Sequence, residues 1–374
     1  MYLHRLHLVH FKNYNQQELF LSPQLNCFVG ENGMGKTNLL DAIHYLCMCK
    51  SHFKLSDRQV VQHGADFFRI EGDFQRAGKQ EAIACTYAPR QRKTLLKNKV
   101  PYARLADHIG FLPLIMIAPD DTLLITEGSE NRRQFLDVLL VQLNAIYLQQ
   151  LMTYNKVLQQ RNAYLKSCKH PSEVEGALLE VYNQQLLAPA QYIHQQRQQV
   201  VQQLSPIFQE YYKVISGDKE QVEISYQSQL KEQTLVELWA ESQEKDAWLQ
   251  RTTKGIHKDD LQLVINAYPV KKFASQGQLK SYLLALKLAQ YELLRQEVEL
   301  PPLLLLDDIF DKLDNKRVEQ LLTLLLERDF GQVFLTDTHE HRIARIVESL
   351  QADFKQFLVE EGRVKEDKNR FNNQ

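Results

Sequence analysis

A glycine-rich stretch near the start of the chain constrains its fold more than any other part of the sequence. The stretch reads Gly30-Glu31-Asn32-Gly33-Met34-Gly35-Lys36-Thr37. Glycine, four residues and then Gly-Lys-Thr is the spacing of a phosphate-cradling loop, because glycine lets the backbone approach an anion closely. Residues 25–29 are apolar, as in a buried strand, and apolar residues recur at helical spacing after the loop. The stretch therefore predicts a strand, a phosphate loop and a helix.

The same loop predicts the chemistry of a nucleoside triphosphate site. Backbone N–H groups and the positive end of the following helix would face the phosphates. Lys36 would reach the β- and γ-phosphates, and the Thr37 hydroxyl would hold Mg²⁺. A glycine turn without a ligand is the alternative, and the flanking strand and helix weigh against it.

Composition and charge bound the remaining possibilities. At 374 residues the chain is too long for one simple core, so we expect two domains or lobes. No apolar run approaches the length of a membrane span, and the N-terminus lacks a secretory apolar region. Five scattered cysteines predict reduced thiols in a cytoplasmic protein. The formal net charge of −1 means that any DNA binding must come from a local patch.

The order of predicted elements indicates an α/β fold with a helical insertion. Residues 1–120 contain strand-like segments separated by turns. Apolar spacing over residues 136–158 predicts a long helix, and a second helical stretch, interrupted near Pro189 and Pro206, would pack against it as a hairpin. The first region also carries a basic run that is either a DNA-binding patch or an ordinary solvated surface: Arg90, Arg92, Lys93, Lys97, Lys99 and Arg104.

Two carboxylates follow a second buried strand, far along the chain from the phosphate loop. Residues 303–306 are four leucines, and Asp307 and Asp308 come directly after them. Because ligands bind at the carboxyl ends of parallel strands, we expect these aspartates to lie beside the phosphate loop. Asp307 would hold Mg²⁺ through water, and Asp308 would act as the general base that positions the attacking water. A strand that merely ends at polar residues is the alternative.

The turn Ser275-Gln276-Gly277-Gln278 opens a further predicted helix, after strands predicted at residues 261–265 and 270–273. A simple helix cap is one interpretation, since Ser and Gly favour helix starts. A helix N-terminus with an exposed hydroxyl is also a phosphate site. Because the chain's own γ-phosphate is already cradled by the first loop, this second site would serve the nucleotide of a neighbouring copy.

Together these motifs resemble the ABC-type ATPases of the SMC and Rad-fifty class. The likeness depends on the phosphate loop with Asn38, the turn at residues 275–278, and the leucine strand with its two aspartates and the later Leu313-Asp314. Further motifs extend over nearly the whole chain and narrow the resemblance to the RecF family: Phe11-Lys12-Asn13-Tyr14, Ser51-His52, Arg132-Arg133, Gly255-Ile256-His257-Lys258-Asp259-Asp260 and Phe273-Ala274-Ser275.

The resemblance implies an α/β ABC-type P-loop ATPase head with a mixed sheet and a helical arm, or lobe II. Residues 1–120 would form the N-terminal part of the head, with the phosphate loop and an antiparallel β subdomain. Residues 121–255 would form the arm. Residues 256–374 would form the C-terminal part of the head, with the signature turn, the leucine (Walker B) strand and the D-loop.

The resemblance also implies roles for individual residues. By motif match, the nucleotide would be bound by Lys12, Asn13, Gly30, Glu31, Asn32, Gly33, Met34, Gly35, Lys36, Thr37 and Asn38. Ser275, Gly277 and Gln278 would contact the γ-phosphate of the partner copy. Asp314 would lie in the loop that crosses the dimer interface, and His339 is a candidate switch histidine. Asp308 stands where most ABC ATPases have Glu, and the shorter carboxylate fits slow turnover.

The function implied by the resemblance is that of an ATP-gated clamp on DNA. ATP and Mg²⁺ would be the cofactors, and the chain would dimerise on ATP and bind single-stranded, double-stranded or gapped DNA. Slow, DNA-stimulated hydrolysis would reset the clamp. RecR and RecO, and RecA indirectly, would be the partners in loading the recombinase at single-strand gaps in the cytoplasm, with no membrane involved.

Three other classes of protein are alternatives to this interpretation. A P-loop kinase or GTPase would bring its acidic strand back sooner, and the chain has no Asn-Lys-x-Asp base-reading motif. An SMC-like structural DNA tether would need a far longer helical arm. A non-hydrolysing binding module is expected instead if Asp308 lies away from the site.

Overall fold

The computed structural model describes residues 1–217, 220–309, 315–328, 330–339, 343, 346–347 and 353–367. The chain divides into two compact units. One consists of Met1–Asp120 with Leu294–Gln374, and the other is Asp121–Leu293. Residues 256–293 therefore lie in the second unit, whereas the predicted segment 256–374 joins them to the head. As functional domains, the three predicted segments stay a prediction.

Strands dominate the first unit, and helices dominate the second. The strands are β1 (Tyr2–Phe11), β2 (Tyr14–Phe20), β3 (Leu25–Val29), β4 (Phe68–Arg76), β5 (Lys79–Tyr87), β6 (Thr94–Lys97), β7 (Val100–Pro101), β8 (Leu114–Ile117), β9 (Val222–Gln227), β10 (Asp260–Ile265), β11 (Tyr268–Pro269), β12 (Leu303–Leu306), β13 (Val333–Asp337), β14 (Phe354–Glu360) and β15 (Arg363–Glu366). The helices are α1 (Lys36–Met48), α2 (Asp57–Val60), α3 (Leu123–Thr126), α4 (Ser129–Leu143), α5 (Ala145–Ser167), α6 (Gly176–Ser216), α7 (Leu235–Leu249), α8 (Val270–Phe273), α9 (Gln276–Val298) and α10 (Asn315–Glu327).

A mixed sheet forms the centre of the first unit, with the strand order β15-β14-β3-β13-β12-β8. All neighbours pair in parallel except β14 and β15, which are antiparallel. Every residue of β3, β8, β12 and β13 is buried, as expected for strands covered on both faces. The carboxyl ends of β3, β13 and β12 therefore meet at one edge, and the predicted α/β fold with a mixed sheet is confirmed.

The helix after the phosphate loop packs between two sheets. The second sheet is antiparallel, with the order β2-β1-β4-β5-β6-β7, and α1 contacts strands of both sheets. Eleven of the thirteen residues of α1 are buried, which is typical of a helix covered on all sides. Gly72 of β4 faces it closely, because an added Cβ would lie 2.8 Å from the Leu46 side chain. Tight packing on both sides thus fixes the helix that begins at Lys36.

The second unit is built from helices and a small antiparallel sheet, β11-β10-β9. The predicted long helix is in fact two helices, since Asn144 ends α4 and its side chain caps α5 by accepting the N–H groups of Ile146 and Tyr147. As predicted, α5 and α6 pack against each other. Two buried ion pairs hold the helices of this unit, Arg161 with Asp246 at 2.9 Å and Arg197 with Asp137 at 2.9 Å.

Two predicted elements of the second unit are wrong. Pro189 and Pro206 do not interrupt the second helical stretch, because α6 runs through both. Each proline removes one backbone hydrogen bond, but Pro189 is buried among the packed residues of α6, so side-chain burial outweighs that loss. Residues 270–273 form the single helical turn α8 and not a strand.

The described residues include neither a candidate membrane-spanning helix nor a disulfide. None of their helices combines the length and apolar character that a membrane span requires. The five cysteines are buried and free, in agreement with the predicted reduced thiols.

Candidate functional site

The phosphate loop connects β3 to α1 and has a shape that requires glycine. Gly30, Gly33 and Gly35 all have positive φ, at 147°, 83° and 117°. An added Cβ at Gly30 would lie 2.4 Å from the carbonyl oxygen of Val359, and one at Gly35 would lie 2.4 Å from the Asn13 amide nitrogen. The loop is therefore folded tightly against its neighbours, as the sequence pattern predicts.

Lys36 is held over this loop at the first position of α1. Its side chain is buried, and its ammonium donates hydrogen bonds to the carbonyl oxygens of Gly30 at 2.6 Å and Glu31 at 2.8 Å. Burial lowers the pKa of Lys36, while the carboxylates of Asp308, Asp307 and Asp337 act in the opposite direction. A cation thus lies between the loop and a group of acids.

Thr37 and Asp307 meet at the carboxyl edge of the mixed sheet. The Thr37 hydroxyl donates to Asp307 Oδ1 at 2.9 Å, and the Thr336 hydroxyl donates to the same oxygen at 2.9 Å. Burial raises the pKa of Asp307, and the Asp308 charge adds to this, whereas the two threonines and Lys36 lower it. The structure therefore brings the phosphate loop and the leucine strand together, as expected from the sequence.

Asp308 lies beside this pair in a backbone conformation that few residues adopt. Its φ is +47°, which aspartate tolerates better than most side chains. Its N–H donates to the Thr336 hydroxyl at 2.8 Å, so Thr336 binds both consecutive aspartates. The residues around it line a cleft of about 180 Å³: Asn32, Gly33, Gly35, Lys36, Thr37, Asn38, Asp307, Asp308 and Thr336.

Segments near both ends of the chain form hydrogen bonds that hold the phosphate loop in place. The Asn13 amide donates to the Met34 carbonyl oxygen at 3.0 Å and accepts from Asn38 at 2.7 Å, and the Tyr14 hydroxyl donates to the Gly35 carbonyl at 3.0 Å. The turn between β14 and β15, Glu361 and Gly362, is called the C-terminal clasp here. Its Gly362 N–H donates to the same Met34 carbonyl oxygen at 3.1 Å.

Lys12, which was predicted to contact the nucleotide, forms an ion pair with Asp41. Its ammonium lies 2.7 Å from a carboxylate oxygen of Asp41, a buried residue of α1. Asp41 also accepts hydrogen bonds from the Ser51 hydroxyl at 2.8 Å and the His52 N–H at 2.7 Å. Lys12 is not among the residues that line the cleft. Its direct contact with a nucleotide stays a prediction.

The signature turn begins α9 in the second unit. Ser275 and Gln278 cap the helix reciprocally, because the Ser275 N–H donates to Gln278 Oε1 at 2.6 Å and the Gln278 N–H donates to the Ser275 hydroxyl at 3.3 Å. Ser275 and Gly277 are exposed, and the Gln278 amide donates to Glu220 at 2.5 Å. The turn is therefore a helix cap, and its contact with a partner's phosphate stays a prediction.

Asp314 and His339 were also predicted to take part in the site. Asp314 lies outside the described residues. His339 is exposed, and its backbone N–H donates to the Asp337 carboxylate at 3.0 Å. Because β13 extends to Asp337, a single residue separates the strand from His339. The predicted switch role of His339 is not tested by these contacts.

Three of the six cations in the basic run of the first unit are paired with acids among the described residues of that unit. Lys93 donates to the Tyr45 hydroxyl at 2.9 Å and the Cys49 carbonyl at 2.7 Å, and it lies 2.9 Å from Asp57. Lys97 lies 3.6 Å from Glu81, and Arg104 lies 2.7 Å from Asp107. Lys93 therefore anchors the end of α1 and is not a freely solvated cation.

These features define an ABC-type P-loop ATPase head: a phosphate loop between a buried strand and a helix, with Thr37 bonded to Asp307 at the end of a parallel strand. A model of the RecF/RecN/SMC N terminal domain matches residues 2–359. Proteins called DNA replication and repair protein RecF from Parabacteroides distasonis and Flavobacterium johnsoniae are 44% and 43% identical to this chain. These matches cover 97% and 96% of this chain and 99% of each relative. The chain belongs to the RecF family.

Solved structures agree with this assignment. The structure of the recombination mediator protein RecF-ATPrS in the RecFOR pathway has a TM-score of 0.88 at 27% identity, covering 98% of both chains. The SmcHead bound to the C-winged helix domain of ScpA has a TM-score of 0.58 at 15% identity, covering 98% of this chain and 97% of that chain. The second likeness shows the shared fold alone.

Proposed function

We propose that this chain is an ATP-dependent DNA-binding protein of replication and recombinational repair, which closes as a homodimeric clamp on DNA and hydrolyses ATP slowly. The observation that carries the proposal is the bond between Thr37 and Asp307, which joins the phosphate loop to the carboxylates of the leucine strand. The names of its relatives and their structures with ATP and ATPrS support the assignment.

ATP would bind with its phosphates along residues 30–38, where backbone N–H groups face the ligand at the positive end of α1. Lys36 would exchange its loop carbonyls for the β- and γ-phosphates, which are stronger anionic acceptors. Asn13 would act by fixing the loop through Met34 and Asn38. Lys12 would either keep its ion pair with Asp41, and so support the loop, or move to contact the nucleotide itself.

Thr37 and Asp307 have the chemistry to hold Mg²⁺. A hydroxyl and a carboxylate supply the oxygen donors that this hard cation prefers, and their oxygens already lie 2.9 Å apart. When bound, Mg²⁺ neutralises charge on the β- and γ-phosphates. The buried carboxylate, with its raised pKa, gains a compensating positive charge when the cation binds.

Asp308 is the proposed general base. It lines the cleft next to Asp307 and Lys36. Its backbone N–H is hydrogen-bonded to Thr336, so the end of a buried strand positions its carboxylate. The aspartate side chain is one methylene shorter than the glutamate usual in this class. That shorter reach supports slow hydrolysis, in which the ATP-bound state is long-lived.

The clamp would form when two copies each complete the other's nucleotide site. The exposed Ser275 and Gly277, with Gln278, would contact the partner's γ-phosphate, and Asp314 would lie at the interface. His339, one residue beyond β13, is the proposed switch that senses the γ-phosphate. RecR and RecO, and RecA indirectly, are the proposed partners on single-stranded, double-stranded or gapped DNA in the cytoplasm.

Two substitutions in the cleft test these roles. Lys36→Arg should weaken ATP binding, because the longer planar guanidinium cannot replace an ammonium held by two carbonyls 2.6 and 2.8 Å away. ATP-dependent dimerisation and DNA binding should weaken with it. Asp308→Asn should preserve ATP binding, block hydrolysis and lock the dimer on DNA.

The measurements are ATP affinity, hydrolysis rate and retention on DNA after dilution. Asp120→Asn is the matched control, because this aspartate is exposed and does not line the cleft. An equal loss of ATP binding in Lys36→Arg and Asp308→Asn would contradict the assigned roles. Normal hydrolysis by Asp308→Asn would favour another base and remove Asp308 from the mechanism.

A further inference from the structure

An exposed cluster of aromatic rings and lysines lies immediately before the signature turn. Tyr268, Lys271, Lys272 and Phe273 form this aromatic–lysine patch. The tyrosine is 57% exposed and the phenylalanine 62% exposed, and their ring centroids lie 5.1 Å apart. Both lysines between them are exposed. Large apolar rings that remain exposed side by side indicate a surface that a partner covers.

The backbone beneath the patch is fixed before any partner binds. Asn266 and Ala267 form a two-residue hairpin between β10 and β11, and both have positive φ, as in the favoured tight hairpin turns. Asn266 is bonded to Gln221 twice, through its N–H at 2.8 Å and its side-chain oxygen at 2.9 Å. Val270 of α8 is fully buried. The rings are therefore displayed on a rigid support.

The sequence that carries the patch is basic. Residues 261–291 contain no Asp or Glu and four lysines, of which Lys271 and Lys272 belong to the patch and Lys287 is paired with Asp121 at 2.6 Å. In a chain with a net charge of −1, this is a local excess of positive charge. Positive charge interleaved with aromatic faces favours a ligand that is both polyanionic and rich in flat rings. Nucleic acid with unpaired bases has both properties.

We infer that the aromatic–lysine patch is a binding surface for single-stranded DNA, whose bases stack on Tyr268 and Phe273 while its phosphates lie against Lys271 and Lys272. A duplex fits less well, because its base faces are already stacked on one another. The inference rests on the proposed DNA-binding function and names the surface and the form of DNA. It also places that contact two residues before Ser275 of the signature turn.

Fluorescence anisotropy of the full chain with ATP and Mg²⁺ tests this inference. The probes are a labelled oligo-dT strand and an abasic strand of the same length, and a duplex probe tests the proposed function separately. Wild type should bind oligo-dT more tightly than the abasic strand. The double variant Tyr268→Ala, Phe273→Ala should lose at least about fivefold in oligo-dT affinity and no longer distinguish the two strands.

The two lysines should contribute to the salt dependence of DNA binding and not to the preference for intact bases. Lys271→Gln with Lys272→Gln should reduce the slope of log affinity against log salt by about 1.4, since each phosphate contact on single strands contributes about 0.7. This variant should still prefer oligo-dT over the abasic strand. Trp248→Ala, which removes an aromatic residue that is 75% exposed elsewhere in the same unit, should change neither property.

Four results would overturn the inference. Equal wild-type affinity for oligo-dT and the abasic strand would exclude stacking. An aromatic double variant that binds like Trp248→Ala would exclude these two rings. Loss of ATP-dependent self-association in that variant, with oligo-dT binding intact, would assign the patch to a second copy of the chain. Absence of wild-type binding to every probe would reject the proposed function as well.

Discussion

Gly362 of the C-terminal clasp allows a direct test of how the phosphate loop is held. It has a φ of +74°, and a Cβ added there would lie 2.4 Å from the backbone oxygen of Asn13. Contacts of real Cβ atoms essentially never fall below 3.0 Å. Gly362→Ala must therefore displace the Asn13 carbonyl or the clasp by about 0.6 Å.

The expected loss of ATP affinity follows from the hydrogen bonds that the clasp and Asn13 make to the phosphate loop. The positive φ alone costs an alanine about 1 kcal/mol of folding stability. Both the Gly362 N–H and the Asn13 amide donate to the Met34 carbonyl of the phosphate loop, and each such bond contributes about 1 kcal/mol. We expect Gly362→Ala to weaken ATP binding about tenfold, which corresponds to about 1.4 kcal/mol.

Gly78→Ala is a matched control for the backbone strain. Gly78 has a φ of +76° in the turn between β4 and β5, and an added Cβ there would meet no atom within 4 Å. Both variants should lose similar stability from the positive φ in urea unfolding. Binding of a fluorescent ATP analogue should weaken in Gly362→Ala alone. Equal ATP affinity in the two variants would refute the idea that the clasp shapes the loop.

Three other substitutions test separate parts of the account. Thr336→Val should weaken Mg²⁺-dependent ATP binding and cost about 1–3 kcal/mol of stability, because it leaves the Asp308 N–H without its hydroxyl partner. A magnesium titration identical to that of wild type would argue against this role of Thr336. Burial lowers the pKa of His108 from 6.5 to about 4, so the folded state loses stability as pH falls from 6.5 towards 4. His108→Gln should therefore make the unfolding free energy less dependent on pH in that window, and an unchanged pH dependence would contradict this. Lys93→Gln should lower the unfolding free energy and leave the salt dependence of DNA binding unchanged, because its ammonium is bound to Tyr45, Cys49 and Asp57; a flatter salt dependence would place Lys93 at the DNA.

The parts of the site that were predictable are those encoded by neighbouring residues. The phosphate loop, its helix and the strand before Asp307 each depend on a short run of sequence, and the structure places all three as expected. Their convergence was predictable because parallel strands present their carboxyl ends at a common edge.

The roles of Thr336 and Gly362 were not predicted from the sequence, because these roles depend on the order of the strands in the sheet. Thr336 reaches both aspartates because β13 lies between β3 and β12, and Gly362 reaches Met34 because β14 pairs with β3. Local sequence carries no signal for either neighbour relation. The polar pair Thr336-Asp337 at the end of an apolar run was the available hint for Thr336.

Tertiary packing also explains the incorrect element predictions. Pro189 is a helix breaker by local preference, yet its position within the packed residues of α6 keeps the helix continuous. Val270 and Phe273 favour strands, but Val270 is buried as the anchor of a helical turn. In both places, long-range burial outweighs local propensity.

The proposed clamp requires two copies to close around ATP, each completing the other's site with its signature turn. Light scattering on Asp308→Asn, in saturating ATP and Mg²⁺, measures this most directly because hydrolysis cannot reopen the dimer. We expect twice the mass of one chain, and a return to the mass of one chain when Ser275→Arg is added. A single-chain mass in ATP, or a dimer that Ser275→Arg leaves intact, would contradict it.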